Sequence, residues 1–217
     1  VTIDYDRFSM DDAAGNPFYM PDSKAAQEVA VFAEKKMEEH DSVGGVIECV
    51  ISGVMPGIGE TVFDKLDASL SKAVMSIGAV KGFEIAGQGD PRLCPHHAHA
   101  GGFGAAAAFG STNNDGFAFK NGRIIKTTNH AGGTLGGMSG GTDIVFRAAV
   151  KPTPSIAAIQ HTVNKSGENI DVSIKGRHDP MIVPRAVVVV EAMAALTLVD
   201  LIFTNMSARM DRIQKFY

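Results

Sequence analysis

One stretch constrains the fold of this chain more than any other, residues 175–200, which read KGRHDPMIVPRAVVVVEAMAALTLVD. From Arg185 onward, Ala, Val, Met and Leu occupy nearly every side of a helical wheel, which is typical of a helix that is buried on all faces. Pro184 suits the first turn of such a helix because its missing N–H costs nothing there. The sequence therefore predicts a long buried helix beginning near Pro184.

A charged cluster precedes this helix, and its members are Lys175, Arg177, His178 and Asp179. The N-terminal end of a helix carries positive potential and free N–H groups, so cations beside it favour an anionic ligand. The alternative is structural, since Arg177 and Asp179 could simply pair with each other. From the residues alone, an anion site and a structural ion pair both stay open.

Composition narrows the possible partners. The chain has 217 residues, with 20 Lys and Arg against 24 Asp and Glu and a formal net charge of −4. Without long blocks of one sign, this balance argues against nucleic acid or an anionic membrane surface. Two cysteines, Cys49 and Cys94, make no disulfide framework, which fits a reducing cytoplasm. The apolar run 186–203 is interrupted by Glu191 and Asp200 and is marginal in length for a membrane span.

Local patterns predict helices and strands joined by short turns. Helices are expected near residues 23–40 and 60–77, and strands over VIECVISGV, AVKGFEI and TDIVFRAAV. Asn121 and Gly122 support positive φ at both central positions of a hairpin that would pair FAFK with RIIKTT. A second hairpin is expected within residues 156–174. Antiparallel hairpins beside several helices favour the α+β class over a doubly wound parallel sheet. Residues 1–22, which mix acids, aromatics and turn formers, read as a loop or terminal extension.

Two loops have the composition of ligand sites. Six glycines lie between Gly132 and Gly141, and such density lets backbone N–H groups approach a ligand or cradle an anion. A flexible connector is the alternative. Lys151 ends a predicted strand and is followed by hydroxyl side chains on a proline-stiffened loop. The residues alone favour a solvated loop here, with an anion site as the alternative.

Several blocks resemble one enzyme family. GRHDP followed by PRAVVVVEAMAALTLVD is similar to the last signature of chorismate synthase, and this match is long and specific. The segments GGVIECVISGVMPGIGETVFDKL, FGAAAAFGSTNNDGFAFKNGRI, NHAGGTLGGMSGG and KPTPS resemble further blocks of that family in the same order. The family's N-terminal Ser-His-Gly and Ser-Ala-Arg-Glu-Thr blocks, with its two catalytic histidines, are absent. We therefore expect the C-terminal part of a chorismate synthase-like fold, folded as one domain over residues 1–217.

The resemblance implies an architecture and an activity. The architecture has helices sandwiched between antiparallel β-sheets, and the chains assemble into a homotetramer in the cytoplasm. The activity is the trans-1,4-elimination of phosphate from 5-enolpyruvylshikimate 3-phosphate, which gives chorismate in the shikimate pathway of aromatic amino acid biosynthesis. Reduced FMN is the implied cofactor and NADP an associated nucleotide. The alternative is a catalytically incomplete fragment or diverged relative that binds flavin or anions, or forms oligomers.

The resemblance also implies residue roles. Arg177 would contact the substrate phosphate and the flavin edge, Asp179 would assist proton removal, and His178 would only support them. The cofactor-binding candidates, besides Arg177, are Gly78, Ala79, Gly136, Lys151, Pro152, Thr153, Pro154 and Ser155. Three positions depart from the family pattern and favour the diverged relative: Gly78, Gly140 and Val188.

Residues 86–102 are longer than the turn that the family has at this place, and we expect an inserted loop. Its potential metal ligands are Cys94, His96, His97 and His99. Zinc or nickel accepts such ligands, but four of them within six residues cannot easily surround a tetrahedral ion. We therefore expect a solvent-exposed insertion and no metal site, with a metal carrier as the remaining alternative.

Overall fold

The computed structural model describes residues 1–85, 101–176 and 178–215. Within these residues a 3-10 turn at Tyr5–Arg7 comes first. The helices are α1 Met10–Gly15, α2 Ser23–Glu38, α3 Leu66–Met75, α4 Gly102–Ala105, α5 Gly110–Asn113, α6 Val183–Ser207 and α7 Met210–Ile213. The strands are β1 Gly45–Ile51, β2 Val80–Ile85, β3 Phe117–Lys120, β4 Arg123–Lys126, β5 Thr134–Leu135, β6 Met138–Ser139, β7 Ile144–Val150, β8 Gln160–Val163 and β9 Asn169–Val172.

The chain divides into two compact units, each of which is described by itself. The first unit comprises Val1–Val46 and Val150–Val187, and the second comprises Ile47–Ala149 and Val188–Tyr217. One sheet has the strand order β1–β7–β2, and the pairs β3–β4, β5–β6 and β8–β9 are antiparallel hairpins. Together with the helices they confirm the predicted α+β class. Both predicted hairpins are present, and Asn121 and Gly122 have the expected positive φ angles of 54° and 76°.

A buried carboxylate fixes the first unit. Asp22 caps α2 by accepting hydrogen bonds from the N–H groups of Lys24 and Ala25, which are among the donors that a helix start leaves unpaired. The same fully buried carboxylate accepts from the N–H of Asp4 and pairs with Arg7, whose Nη2 lies 2.8 Å from Oδ2. One side chain thus joins the start of α2 to the N-terminal segment.

The expectation that residues 1–22 form a loop was therefore wrong. They contain the 3-10 turn and α1, which Ser9 caps through its hydroxyl, and Ala13 is buried. The Arg7–Asp22 pair spans 15 residues, and local pattern reading does not detect an ion pair over that distance.

The second unit is built around β7 and α3. On β7 the side chains of Ile144, Phe146 and Ala148 are fully buried, and Phe146 stacks on Phe83 of β2 with ring centroids 5.1 Å apart. The buried face of α3 consists of Leu66, Leu70 and Val74. A helix packed against a sheet strand through large aliphatic and aromatic side chains is the main hydrophobic contribution to such a unit.

The α3 helix is shorter than the predicted helix over residues 60–77. Phe63, which lies within that predicted helix, is 87% exposed, and Val62 has a φ of 68°, which is incompatible with a right-handed helix. The N–H of Leu66 donates to the carbonyl of Gly137 instead of to a preceding helical turn. A contact with a distant loop therefore sets the start of this helix.

The prediction that α6 is buried on all faces was wrong for the described residues. One face is buried, through Val190, Ala194, Leu198 and Leu201. The opposite face is exposed and has apolar side chains, among them Val188, Val189, Leu196, Val199, Phe203 and Met206. By length and composition alone α6 could cross a membrane, a test that the core helix of a soluble protein also passes.

We predict that Asp22→Asn lowers the melting temperature by about 4 °C or more, because the buried cap loses its charge opposite Arg7. The hydrogen bond from Arg7 holds the pKa of Asp22 below its ordinary value, despite burial. A lowered pKa stabilises the fold above about pH 4 and loses that contribution as the pH falls. Thermal unfolding from pH 7 to pH 2 should therefore show a shallower acid dependence in the variant.

The matched control is Glu39→Gln, which removes a carboxylate from the exposed Lys36–Glu39 pair of the same unit. Exposed pairs contribute little, so its melting temperature should stay close to that of the original chain. Equal effects of the two substitutions would contradict the role given to Asp22.

Candidate functional site

In the first unit, the predicted anion loop of residues 151–155 directly follows β7. Its backbone is tied to residues 42–44, since Ser42 Oγ donates to the Thr153 carbonyl at 2.7 Å. A Cβ at Gly44 would lie 2.3 Å from the Val150 carbonyl oxygen, so only glycine allows this approach. Thr153 Oγ1 is buried and, among the described residues, has no hydrogen-bond partner. Leaving such a group unsatisfied costs about 1–3 kcal/mol, so the loop fits a ligand with hydrogen-bonding oxygens.

The second predicted segment of this unit contains Asp179. Its Oδ2 lies 2.7 Å from Nη1 of Arg185, with 31% of the Asp179 side chain and 74% of the Arg185 side chain exposed. The predicted partner Arg177 lies outside the described residues. The N–H of Val43 donates to the Pro180 carbonyl at 2.8 Å, and Val43 also forms a parallel β-bridge with Met181.

Residues 42–44 therefore contact both predicted segments of the first unit. Ser42 and Gly44 contact the anion loop, and Val43 contacts the residues that follow Asp179. Sequence reasoning assigned these three residues no role. The signal that could have found them is the Gly44-Gly45 pair ahead of a strand, since consecutive glycines there indicate close backbone approach.

In the second unit, the glycine-rich stretch forms a hairpin rather than a flexible connector. Thr134 pairs with Ser139 and Leu135 with Met138, so Gly136 and Gly137 form its two-residue turn. Their φ angles of 61° and 90° are both positive, as the hairpin turns that match strand twist require. Gly136 is exposed, and a Cβ placed on it would meet nothing within 4 Å. A defined backbone turn is thus presented on an open face.

Contacts from the preceding chain fix this hairpin. Ser139 Oγ donates to the Met55 carbonyl at 2.6 Å and accepts from the Ile58 N–H at 2.9 Å. The Gly137 carbonyl accepts from the N–H of Leu66 at the start of α3. The turn is therefore fixed on its β6 side, through Gly137 and Ser139.

Gly78 and Ala79 lie at the other end of α3. Ala79 has a φ of 71°, a left-handed conformation that costs about 1–3 kcal/mol in a non-glycine residue and that occurs preferentially at functional sites. A helix of 10 residues is about 15 Å long, and the Gly136 turn contacts its opposite end. The structure therefore does not bring Gly78 and Ala79 together with Gly136.

A buried ion pair, which sequence reasoning missed, lies beneath the hairpin. The side chains of Asp115 and Lys126 are only 4% and 3% exposed, with Nζ 3.1 Å from Oδ2. Asp115 Oδ1 accepts from the Thr128 hydroxyl at 2.8 Å and from the His130 N–H at 2.6 Å, and Oδ2 accepts from the Ala131 N–H at 3.2 Å. We call these five residues the Asp115 cluster.

The electrostatics of the cluster favour an ionised Asp115. Burial works against the charged carboxylate and is the largest influence on its pKa, but the hydrogen bonds from Thr128, His130, Ala131 and Lys126 together lower that pKa below its ordinary value. A carboxylate that accepts several N–H bonds is typical of an anion held in place by backbone. No periodic sequence pattern marks such a residue, since its partners follow 11 to 16 positions later.

The described residues also include a cysteine and possible metal ligands. Burial, and after it Glu191 and Glu48, raises the pKa of the Cys49 thiol to about 11, which is typical of an apolar filler and not of a nucleophile. Within residues 1–85, 101–176 and 178–215 the structure has no group of three or more His, Cys, Asp or Glu side chains that could hold a metal ion. The possible ligands at Cys94 and the neighbouring histidines lie outside the described residues.

Comparisons with known proteins agree on one family. The family model described as chorismate synthase matches residues 3–203. The chorismate synthase of Lachnospira eligens is 63% identical over all of this chain, and that of Agathobacter rectalis is 58% identical over all of it. The aligned region is 56% and 55% of these two relatives. The chain thus spans about half the length of the curated relatives that it matches.

A solved structure agrees with the sequence comparison. It is titled "Crystal Structure of Chorismate Synthase" and superposes with a TM-score of 0.70 at 29% sequence identity. The superposition covers 94% of this chain and 51% of that one. The likeness therefore extends over nearly the whole chain and supports the α+β fold described above.

We predict that Cys49 alkylates slowly at pH 8. A thiol with a pKa of about 11 is less than about 1% thiolate at that pH, and only the thiolate reacts. Mass spectrometry of peptides after iodoacetamide treatment should show Cys49 modified at under about a tenth of the rate seen in the urea-unfolded chain. Equal rates in folded and unfolded chains would show that Cys49 is accessible and ionised.

Proposed function

The chain belongs to the chorismate synthase family, and from that premise we propose that its protein is a lyase that forms chorismate from 5-enolpyruvylshikimate 3-phosphate. In this 1,4-elimination a C–H and a C–O bond break, phosphate leaves with its electron pair, and a new double bond forms. The proposal covers the whole protein, of which this chain spans about half by the length of its relatives.

The observation that supports this function most directly is the preformed Gly136–Gly137 turn. Gly136 is exposed and leaves room for a planar ring to approach the backbone, while Gly137 is buried and its carbonyl is bonded to the N–H of Leu66. Preorganised backbone lowers the cost of binding, because little conformational freedom remains to be lost. This favours a ligand turn over the flexible connector that the sequence left open.

We propose FMN as the cofactor, held by the residues that the family resemblance indicates. In the second unit these are Gly78, Ala79 and Gly136, and the length of α3 between them means that they would contact different parts of an extended molecule. When bound, reduced FMN supplies electron density to the elimination and recovers it, so there is no net redox change. NADP belongs to the proposal only as an associated nucleotide.

In the first unit the proposed cofactor contacts are Lys151, Pro152, Thr153, Pro154 and Ser155. The Lys151 ammonium would offset negative charge, and the buried hydroxyl of Thr153 would donate the hydrogen bond that it lacks among the described residues. The proline rings keep the loop extended, so that its hydroxyl groups face the ligand at little entropic cost.

Asp179 is the proposed proton-transfer group and Arg177 the proposed contact for phosphate and the flavin edge. Asp179 would carry the proton on Oδ1, because Oδ2 already faces Arg185. Arg177 suits an oxyanion because its planar guanidinium donates two parallel hydrogen bonds. The substrate is anionic, so both the anion loop and Arg177 would contribute to its binding.

We further propose a cytoplasmic homotetramer. The exposed apolar stripe of α6, defined by Val189, Leu196, Val199, Phe203 and Met206, supports burial against further polypeptide, since contiguous apolar surface of this kind marks interaction sites. Light scattering of the full-length gene product should give four times the chain mass.

Asp179→Asn in the full-length gene product should lower kcat by about 10²–10⁴, because an amide cannot take up the proton. FMN affinity should change little. Asp200→Asn, an exposed carboxylate on α6, is the control and should leave kcat unchanged. Phosphate release and chorismate absorbance measure the kcat of each variant. Full activity of Asp179→Asn would remove this residue from the mechanism.

The 217-residue chain by itself should bind FMN weakly and release no phosphate, because the family's catalytic histidines belong to blocks outside it. Flavin fluorescence titration and a phosphate assay, run beside the full-length gene product, test this. If the full-length product binds flavin but forms no chorismate, the diverged-relative alternative holds instead. Metal analysis of the same sample tests the metal carrier.

A further inference from the structure

We propose that the Asp115 carboxylate is a positioning group for the Gly136–Gly137 turn. Its hydrogen bonds from the N–H groups of His130 and Ala131 determine the affinity of the turn for its ligand. The inference rests on the proposed function, because it takes that ligand to be FMN. Asp115 does not touch the ligand in this proposal. It acts through the backbone that leads into β5.

The first step is the contact between the carboxylate and the backbone. Both oxygens of Asp115 are engaged, Oδ1 by the His130 N–H at 2.6 Å and Oδ2 by the Ala131 N–H at 3.2 Å. Two consecutive N–H groups on one carboxylate fix both the position and the direction of that chain segment, as in anion-binding nests. Lys126, the last residue of β4, and Thr128, just after it, also hold the carboxylate, which precedes β3.

The second step leads from this anchor to the hairpin through Asn129, which is buried. Its Oδ1 accepts from the Gly133 N–H and from the Thr142 hydroxyl, each at 2.9 Å, and its Nδ2 donates to the Asp143 carbonyl at 2.8 Å. One side chain therefore links the residues before β5 with those after β6. Because Asn129 adjoins His130, displacement of the anchored segment would move both.

The third step is the tight packing of the two arms of the hairpin. The N–H of Gly140 donates to the Gly133 carbonyl at 2.7 Å, and a Cβ on Gly133 would lie 2.4 Å from the Asp143 carbonyl oxygen. The backbone at this point cannot take another path without steric overlap. In this proposal a shift at His130 and Ala131 displaces the Gly133–Gly140 contact and, with it, the turn at Gly136.

The charge of the pair and its backbone contacts have separable effects. Replacing both members of a buried ion pair by neutral side chains is often neutral for stability, whereas removing one member leaves an unpaired charge and is strongly destabilising. An asparagine at position 115 offers only one acceptor oxygen, so one of the two N–H groups loses its partner. The double substitution thus removes an anchor of the turn without leaving a buried charge.

The test compares Asp115→Asn/Lys126→Met with Lys120→Met in the full-length gene product. Lys120 is exposed on the same hairpin and serves as the matched control. We expect the double variant to keep a cooperative melting transition, while amide hydrogen exchange in residues 131–140 accelerates by about tenfold or more. The Kd for FMN should rise by about tenfold, with kcat at saturating FMN within about twofold of the unsubstituted protein. Lys120→Met should change none of these.

Two kinds of result would overturn the proposal. Unchanged exchange and unchanged FMN affinity would show that the turn does not need Asp115. A parallel loss of kcat and affinity, or failure to fold, would make the cluster a requirement of the fold as a whole. If the unsubstituted protein binds no FMN, the proposed function fails, and the exchange rates alone still decide whether Asp115 positions the turn.

Discussion

Two buried carboxylates bind backbone segments that are distant in the sequence, one in each unit. Taking an ionised carboxylate out of water is costly unless cations and hydrogen-bond donors surround it. Asp22 meets this condition with Arg7 and the first N–H groups of α2, and Asp115 meets it with Lys126, Thr128 and two backbone N–H groups. Because each satisfied carboxylate needs a specific backbone path around it, it selects that path over the alternatives. In both units the fold therefore depends on contacts that helix and strand propensity does not specify.

Local chemistry allowed much of the fold to be predicted. Asn121-Gly122 was expected to form a hairpin turn, and it does, because few other residue pairs tolerate positive φ twice in succession. The helix expected near residues 23–40 is also present, as α2 with Asp22 as its N-cap, because a short carboxylate side chain suits the first unpaired N–H groups of a helix. The start of α3 at Leu66 was not predictable, since its first N–H bonds to Gly137, 71 positions along the chain. The apolar composition of α6 also led to a wrong prediction of burial on all faces. Composition indicates how apolar a helix is, but not which of its faces packs against other residues.

The candidate site was predictable from resemblance more than from physics. The residues alone left Lys151 and the glycine-rich stretch open between ligand loops and ordinary connectors. The structure favours the ligand-loop interpretation of both. The buried Thr153 hydroxyl has no hydrogen-bond partner among the described residues, and the turn at Gly136 has a defined conformation with open space beside it. The role of Asp115 could not be predicted from the sequence, because a buried acid whose partners lie many positions away produces no periodic pattern. The family's remaining site residues, among them its two catalytic histidines, could not be predicted, because this chain spans about half the length of its relatives.

The central claim is that the Gly136–Gly137 turn, held from below by Asp115, receives the flavin of a chorismate synthase. A crystal structure of the full-length gene product grown with FMN tests it most directly. The account predicts the flavin ring against the backbone of Gly136, with Asp115 still bonded to the N–H groups of His130 and Ala131. Flavin bound away from that turn, or an Asp115 that has released those N–H groups, would contradict it.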